Sequence, residues 1–328
     1  MKYYTVVFIL LLSTSVLLGQ EKNELSKVHL SLYDSYSKPE LPALRLNQFV
    51  LYSSSSTLQK AKVNKEKKTY KVIPWRISLL GVVGAGVFTG MHIYYKNTWW
   101  KDQRRFFKFA EDGYYARNVD KVSHIYTANF FTVSTATAYE WAGISPKNSL
   151  LYGAITAMAY ETYIEINDGF APIWGFDWID MGANIFGVLY PYFQEEAPIL
   201  KNFTFKWSFQ PDWISKKVNN NNDLLDDYTN MTFWLGVSPK GLLPRNIAKH
   251  YPGFLGFALG LSLKNASHAP GGTRNAYREW YIALDYDITK LPGDTDFLKK
   301  LKKILNFYHF PSPAVRVSPS GIWYGLYF

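Results

Sequence analysis

Residues 203–209 read FTFKWSF, and the strict alternation of this heptapeptide divides the chain in two. Phe203, Phe205, Trp207 and Phe209 fall on one side of an extended segment, and Thr204, Lys206 and Ser208 on the other. A period of two marks a strand. The alternation returns in WYIALDYDI (280–288), where Trp280, Ile282, Leu284, Tyr286 and Ile288 oppose Tyr281, Ala283, Asp285 and Asp287. Segments 231–238, 253–264 and 321–328 also suit strands, and turn-rich stretches at 217–227, 239–252 and 265–275 separate them. Before residue 200 the apolar residues instead form helix-length runs. The pattern predicts an α+β chain: about four apolar helices bundled over 76–200, then an antiparallel β-rich half over 201–328. That half is expected to be a meander or partial barrel. Its aromatic strands and terminal Phe328 resemble outer-membrane strands, although about five or six strands fall short of the usual eight.

The amino end reads MKYYTVVFILLLSTSVLLGQEKN. One early Lys precedes an apolar run, small residues cluster near Gly19, and the chain then turns polar. This predicts a secretory signal over 1–19 and an exported protein of the periplasm or outer membrane. A polar and basic segment over 20–75 follows. It carries a serine run at Ser53–Ser56, and then Lys60, Lys62, Lys65, Lys67, Lys68 and Lys71 against the single acid Glu66, with Arg76 just beyond. The net charge is +10, and 18% of residues are aromatic, with 11 Trp and 25 Tyr. In an exported chain such a basic balance faces lipid headgroups rather than nucleic acid, so membrane lipid is the expected partner. The chain has no Cys. That excludes disulfides, thiolate catalysis and a lipid attached through cysteine.

The apolar run ISLLGVVGAGVFTGMHIYY (77–95) has no formally charged residue and is close to the roughly 20 residues that cross a bilayer. Basic residues flank it, and KNTWWKDQRR follows, as expected of interfacial anchoring. Gly86 and Gly90 allow close helix packing. Three further helices are expected at 120–141, 147–167 and 178–193. Asn148 or Ser149 is the expected cap of the second, Asp177 that of the third, and Pro191 lies near its end. FLKKLKKIL (297–305) sets Leu298, Leu301 and Leu305 on one helical face, which suits either a membrane surface or packing on the sheet.

Polar residues are few in these helices, and they are spaced. Asp120, His124 and Thr127 stand at i, i+4 and i+7; Glu161, Glu165 and Asp168 repeat the spacing, as do Asp180, Asn184 and Gly187. Each set occupies a wedge of about 60° on its helix. Such stripes are best satisfied by facing one another. Asp120, Lys121, His124, Glu161, Glu165, Asp168, Asp180 and Asn184 are therefore expected to surround one polar cavity, with Lys121 in an ion pair at its edge. Glu140 falls on another face. The cluster suits a buried hydrogen-bond network, a divalent cation held by imidazole and carboxylates, or acid–base chemistry with His124, Glu165 and Asp168 as catalytic candidates.

At these residues the chain resembles two families. Asp120-Lys121-x-x-His124, Glu165-x-x-Asp168 and Asp180-x-x-x-Asn184-x-x-Gly187 resemble the pattern of VanZ-like membrane proteins, with Asp168 where that pattern has Gln. EINDGF (165–170) and GFDWIDMGAN (175–184) are closer to the YfiM-like predicted periplasmic lipoproteins, whose function is uncharacterised. The resemblance covers roughly residues 75–195 and implies an envelope location without a reaction. An envelope binding or structural protein is the expected function; a hydrolase of a lipid or cell-wall precursor is the alternative. There His124 would be the base, Glu165 and Asp168 would orient it or bind metal, and Asn184 would donate to an oxyanion.

Overall fold

The computed structural model of the chain describes residues 69–101, 104–110, 115–210, 227–266 and 275–328. The expected signal segment, the polar segment as far as residue 68 and most of the turns at 217–227 and 265–275 lie outside the described residues. Val72–Phe328 fall in one compact unit.

Four long helices come first: α1 (Pro74–Asn97), α2 (Val119–Trp141), α3 (Pro146–Gly169) and α4 (Trp178–Glu196). Six strands follow: β1 (Phe203–Phe209), β2 (Met231–Val237), β3 (Leu255–Lys264), β4 (Tyr277–Tyr286), β5 (Ser312–Ser318) and β6 (Ile322–Tyr327). They pair antiparallel in chain order, which is a meander. Two shorter helices interrupt them, α5 (Arg245–Ala248) and α6 (Asp296–Leu305). The described residues thus hold six α-helices in all: four in the first half, α6 on the segment 297–305 already expected to be helical, and α5, which was not expected. A one-turn helix such as α5 is too short to carry a periodic signal.

Local chemistry explains the other departures. Ser145, not Asn148 or Ser149, caps α3: its side chain accepts the Asn148 N–H at 3.4 Å, and Pro146 opens the helix. Asp177 caps α4, accepting the Ile179 N–H at 2.7 Å, while Pro191 lies inside that helix. Strand β5 was hidden by Pro313 and the flanking Pro311 and Pro319, since proline argues against a paired strand. Pro313 is tolerated because it falls where the β5–β6 register is irregular, between Ser312 and Ala314.

Helix α2 packs between α3 and α4 at close range. A Cβ at Gly187 of α4 would lie 2.4 Å from the Ile125 carbonyl oxygen of α2. The small residue at the end of the third stripe is therefore a crossing point. Gly187→Ala is expected to cost about 1–3 kcal/mol through overpacking, measured by denaturant unfolding. Unchanged stability would show that the helices lie farther apart.

α1 is mostly exposed although apolar. Leu80, Gly84 and Tyr95 are buried, whereas Trp75, Leu79, Val82 and Ile93 are open, Val82 to 73%. Among the described residues it is the one helix long and apolar enough to cross a membrane.

The sheet has inverted polarity. Lys206, Ser208, Thr232, Ser262, Glu279 and Asp285 are buried on one face. The opposite face is apolar, and register links Phe205, Leu235, Leu259, Ile282, Val315 and Trp323 in one row across all six strands. At the β1–β2 end this face meets the helices, through Tyr190 on Phe205 (4.8 Å) and Tyr126 on Phe233 (6.0 Å). Beyond β2 the end of β3 is still covered, Leu263 being fully buried in one cluster with Val119, but much of the rest is bare: Phe257, Leu259, Ile282, Val315 and Val317 are exposed, and Trp323 is 66% exposed. A contiguous apolar face of this kind is characteristic of surfaces that meet another protein, a ligand or a membrane.

Candidate functional site

The polar stripes of α2, α3 and α4 meet beside a cavity of about 260 Å³. Asp120, His124, Glu161, Glu165, Asp168 and Asp180 line its polar end. Phe88, Met91, Phe131 and Ile164 are among its apolar walls.

The backbone fixes the start of α2 firmly. Ala116, Arg117 and Asn118 have φ of 47°, 55° and 64°, a left-handed run without glycine. Such a run costs roughly 1–2 kcal/mol per residue and persists only where surroundings impose it. Here Arg117 Nε donates to the Ala276 carbonyl (3.1 Å), and Arg278 Nε donates to that of Arg117 (2.6 Å). Asp120 emerges one residue beyond Val119, and its Oδ1 accepts the Tyr228 hydroxyl at 2.6 Å.

Lys121 is the hub. Its Nζ lies 3.1 Å from Asp120 Oδ2, 2.8 Å from Asp177 Oδ2 and 2.7 Å from Asp180 Oδ1. Burial pulls the ammonium pKa down, but Asp120 and Asp180 more than reverse this, so it stays charged. Lys121 is thus paired with three carboxylates and does not itself line the cavity. Beside it, His124 Nδ1 donates to Asn184 Oδ1 at 3.1 Å. Its Nε2 stands 3.6 Å from Asp120 Oδ1 and 3.7 Å from Asp180 Oδ1, and Glu165 Oε1 is 3.8 Å from Nδ1. Burial lowers the imidazole pKa, yet Asp120, Asp180, Glu165 and Glu161 outweigh it and hold the value up at about 10.

Most of the acids are raised as well, which favours their neutral form. Burial raises Glu161 to about 7, against the opposing pull of His124. Burial likewise raises Glu165 to about 8 and Asp168 to about 7. Asp180 also rises, through burial and then the Asp120 charge. Asp177 alone falls: burial opposes this, but the Lys121 hydrogen bond prevails. Glu165 Oε2 accepts the Asp177 N–H at 3.3 Å, and Asp168 Oδ1 accepts the Trp100 indole N–H at 2.6 Å.

Of the eight residues expected at the cavity, Asp120, His124, Glu161, Glu165, Asp168 and Asp180 line it, whereas Lys121 and Asn184 do not and join the cluster through ion pairs and the hydrogen bond with His124. Thr127 lines the cavity and donates to the Ser123 carbonyl, and Glu140 lies apart, 3.7 Å from Lys303. Three members went unseen. Asp177 was legible only as a cap. Tyr228 lies 108 positions from Asp120 and has no local signal. Trp100 belongs to the pair expected at the membrane interface, but it is buried. Asn184 turns its oxygen to His124, so the residue that orients the imidazole is Asn184, with Glu165 farther off.

Residues 108–196 match the family of predicted periplasmic lipoproteins DUF2279. No curated protein and no solved structure matches the chain. The matched span carries α2–α4 and every acid of the cluster. A periplasmic family agrees with the exported envelope location expected from the amino end. Without cysteine, this chain cannot carry a lipid on that residue.

A second constellation lies inside the sheet. Asp285 Oδ1 accepts from His309 Nδ1 at 3.0 Å, and Ser312 Oγ lies 3.3 Å from His309 Nε2. This order resembles a nucleophilic triad, but the chemistry is closed off. His309 and Ser312 have no exposed surface, the Ser312 hydroxyl donates to the Leu284 carbonyl (2.6 Å), and His309 stacks on Trp234 at 4.0 Å. Burial holds the His309 pKa below its ordinary 6.5 despite Asp285. The sign follows from proton binding. As pH falls below 6.5 the unfolded chain protonates His309 first, so the stability this group contributes is lost on acidification. The stability gap between wild type and His309→Gln is expected to shrink from pH 7 to pH 5. A gap that widens would contradict a buried neutral imidazole.

Proposed function

We propose that this is a membrane-associated binding protein of the bacterial cell envelope. Its interhelical cavity takes a small amphipathic molecule, with the polar end on the Asp120–His124–Asp180 floor and the apolar part against Phe88, Met91, Phe131 and Ile164. One observation carries this: an acidic cluster lines a cavity whose other walls are aromatic and aliphatic. Sites of this composition orient a ligand through a few polar groups and hold it by apolar contact. Membrane lipid is the proposed partner of α1 and of the bare apolar sheet face. The inverted polarity of the sheet supports this, because lipid favours apolar side chains outside and satisfied polar ones within. That inversion also favours the outer membrane. The YfiM-like and VanZ-like motifs support an envelope role, whereas the hydrolytic alternative has no support from the comparisons.

Native mass spectrometry of the full chain with monododecanoyl-glycerol tests the cavity. One molecule is expected to bind per chain, and Thr127→Trp, which fills the cavity, is expected to abolish this. Equal binding by both proteins would place the probe on the outer surface and contradict the proposal.

A further inference from the structure

We propose that Asp120, His124 and Asp180 form a binding site for one divalent transition-metal ion of the zinc or manganese type. The proposal deepens the binding role above and rests on the same cavity. One candidate ligand atom from each residue lies within 4.8 Å of the others. His124 Nε2 stands 3.6 and 3.7 Å from its two carboxylate neighbours. That is too far for a hydrogen bond. It is close to the roughly 3.0–3.6 Å that separates donors on one ion with bonds of about 2.0–2.2 Å. The other ring nitrogen is already committed. With Nδ1–H on Asn184 Oδ1, Nε2 is the ring nitrogen that faces Asp120 and Asp180. Metal-ligating imidazoles are oriented by this kind of outer hydrogen bond. Tyr228, donating to Asp120 Oδ1, plays the same part for the carboxylate.

A second observation points to a missing cation. Glu161 is 2% exposed and lines the same cavity, yet its Oε1 has no hydrogen-bond partner. A buried acceptor left unpaired is costly. Six carboxyl groups, of Asp120, Glu161, Glu165, Asp168, Asp177 and Asp180, gather here around one ammonium. Lys121 takes Asp177 Oδ2, Asp120 Oδ2 and Asp180 Oδ1, so on the His124 side Asp120 Oδ1 is left to Tyr228 and the imidazole, and Asp180 Oδ1 is shared between the ammonium and the ring. In the metal-free protein a proton on Nε2 serves there, and the ion displaces it. One imidazole with carboxylates suits zinc or manganese better than calcium or copper(I).

The test is calorimetric titration of the untagged, chelator-treated full chain with Zn²⁺ and separately with Mn²⁺. One ion per chain is expected for at least one metal. His124→Ala and Asp180→Asn should each abolish stoichiometric binding, and Asn184→Leu should weaken it about 10–100-fold. Melting curves without metal establish that each variant is folded. If wild type binds neither ion, or if the folded variants bind as wild type does, the proposal is overturned. Should the lipid-like probe bind while metal does not, this site fails and the cavity role stands. Should metal bind while the probe does not, the metal site stands and the amphipathic ligand fails.

Discussion

Lys206→Met is expected to remove about 3–5 kcal/mol of stability, among the largest losses any single substitution in this chain should produce. The ammonium is 2% exposed, and it lies 2.8 Å from Asp285 Oδ2 and 3.0 Å from Oδ1. It also donates to the Tyr286 carbonyl (2.9 Å) and to Asn306 Oδ1 (3.4 Å). One cation therefore ties β1 to β4 and to the end of α6. Removing it leaves Asp285 charged in the interior with His309 as its remaining partner, and most of the cost is that uncompensated charge. Burial raises the Asp285 pKa, but His309 and Lys206 together hold it below its usual value, so it is ionised at neutral pH. Gly236 of β2 makes room for the pair, since a Cβ there would stand 2.5 Å from Asp285 Oδ2. The companion variant Lys206→Met/Asp285→Leu should recover much of the loss, because no charge is then stranded. Denaturant unfolding measures both. A loss below about 1 kcal/mol in the single variant would mean that water reaches Asp285.

Lys121→Met should cost a similar amount, about 3–5 kcal/mol. Its side chain is 11% exposed, and it neutralises Asp120, Asp177 and Asp180 together. Without it three carboxylates remain with only the His124 charge among them. Asp177 also caps α4, so the loss extends to the helix that carries Asp180 and Asn184. The methionine keeps the apolar stem, which confines the change to the charge. Unfolding free energy near neutral pH is the readout. A change within about 0.5 kcal/mol would place Lys121 on the surface.

The sequence carried the helical site better than the sheet, and for a physical reason. A polar residue on an apolar helix is conspicuous, and helical spacing fixes its direction. Asp120, Glu165 and Asp180 could therefore be aimed at one another before any fold was known. Tyr228 and Trp100 join them across turns that no periodicity encodes. In the sheet, alternation separated Phe205 and Ile282 from Lys206 and Asp285 correctly, but it cannot say which face is inside. The structure buries the charged face and bares the apolar one. Strand β5 was hidden by prolines that an irregular register accommodates. Ser145, Asn148 and Ser149 share the same capping chemistry, so residue type alone does not single out Ser145 as the cap of α3.

The central claim is that the polar stripes of α2 and α4 meet in a shared buried cluster. A double-mutant cycle between Lys121→Met and Asp180→Asn tests it most directly. The two side chains are 2.7 Å apart, so their effects on unfolding free energy should be coupled by about 1–3 kcal/mol. Additivity within about 0.3 kcal/mol would mean that the helices do not converge there.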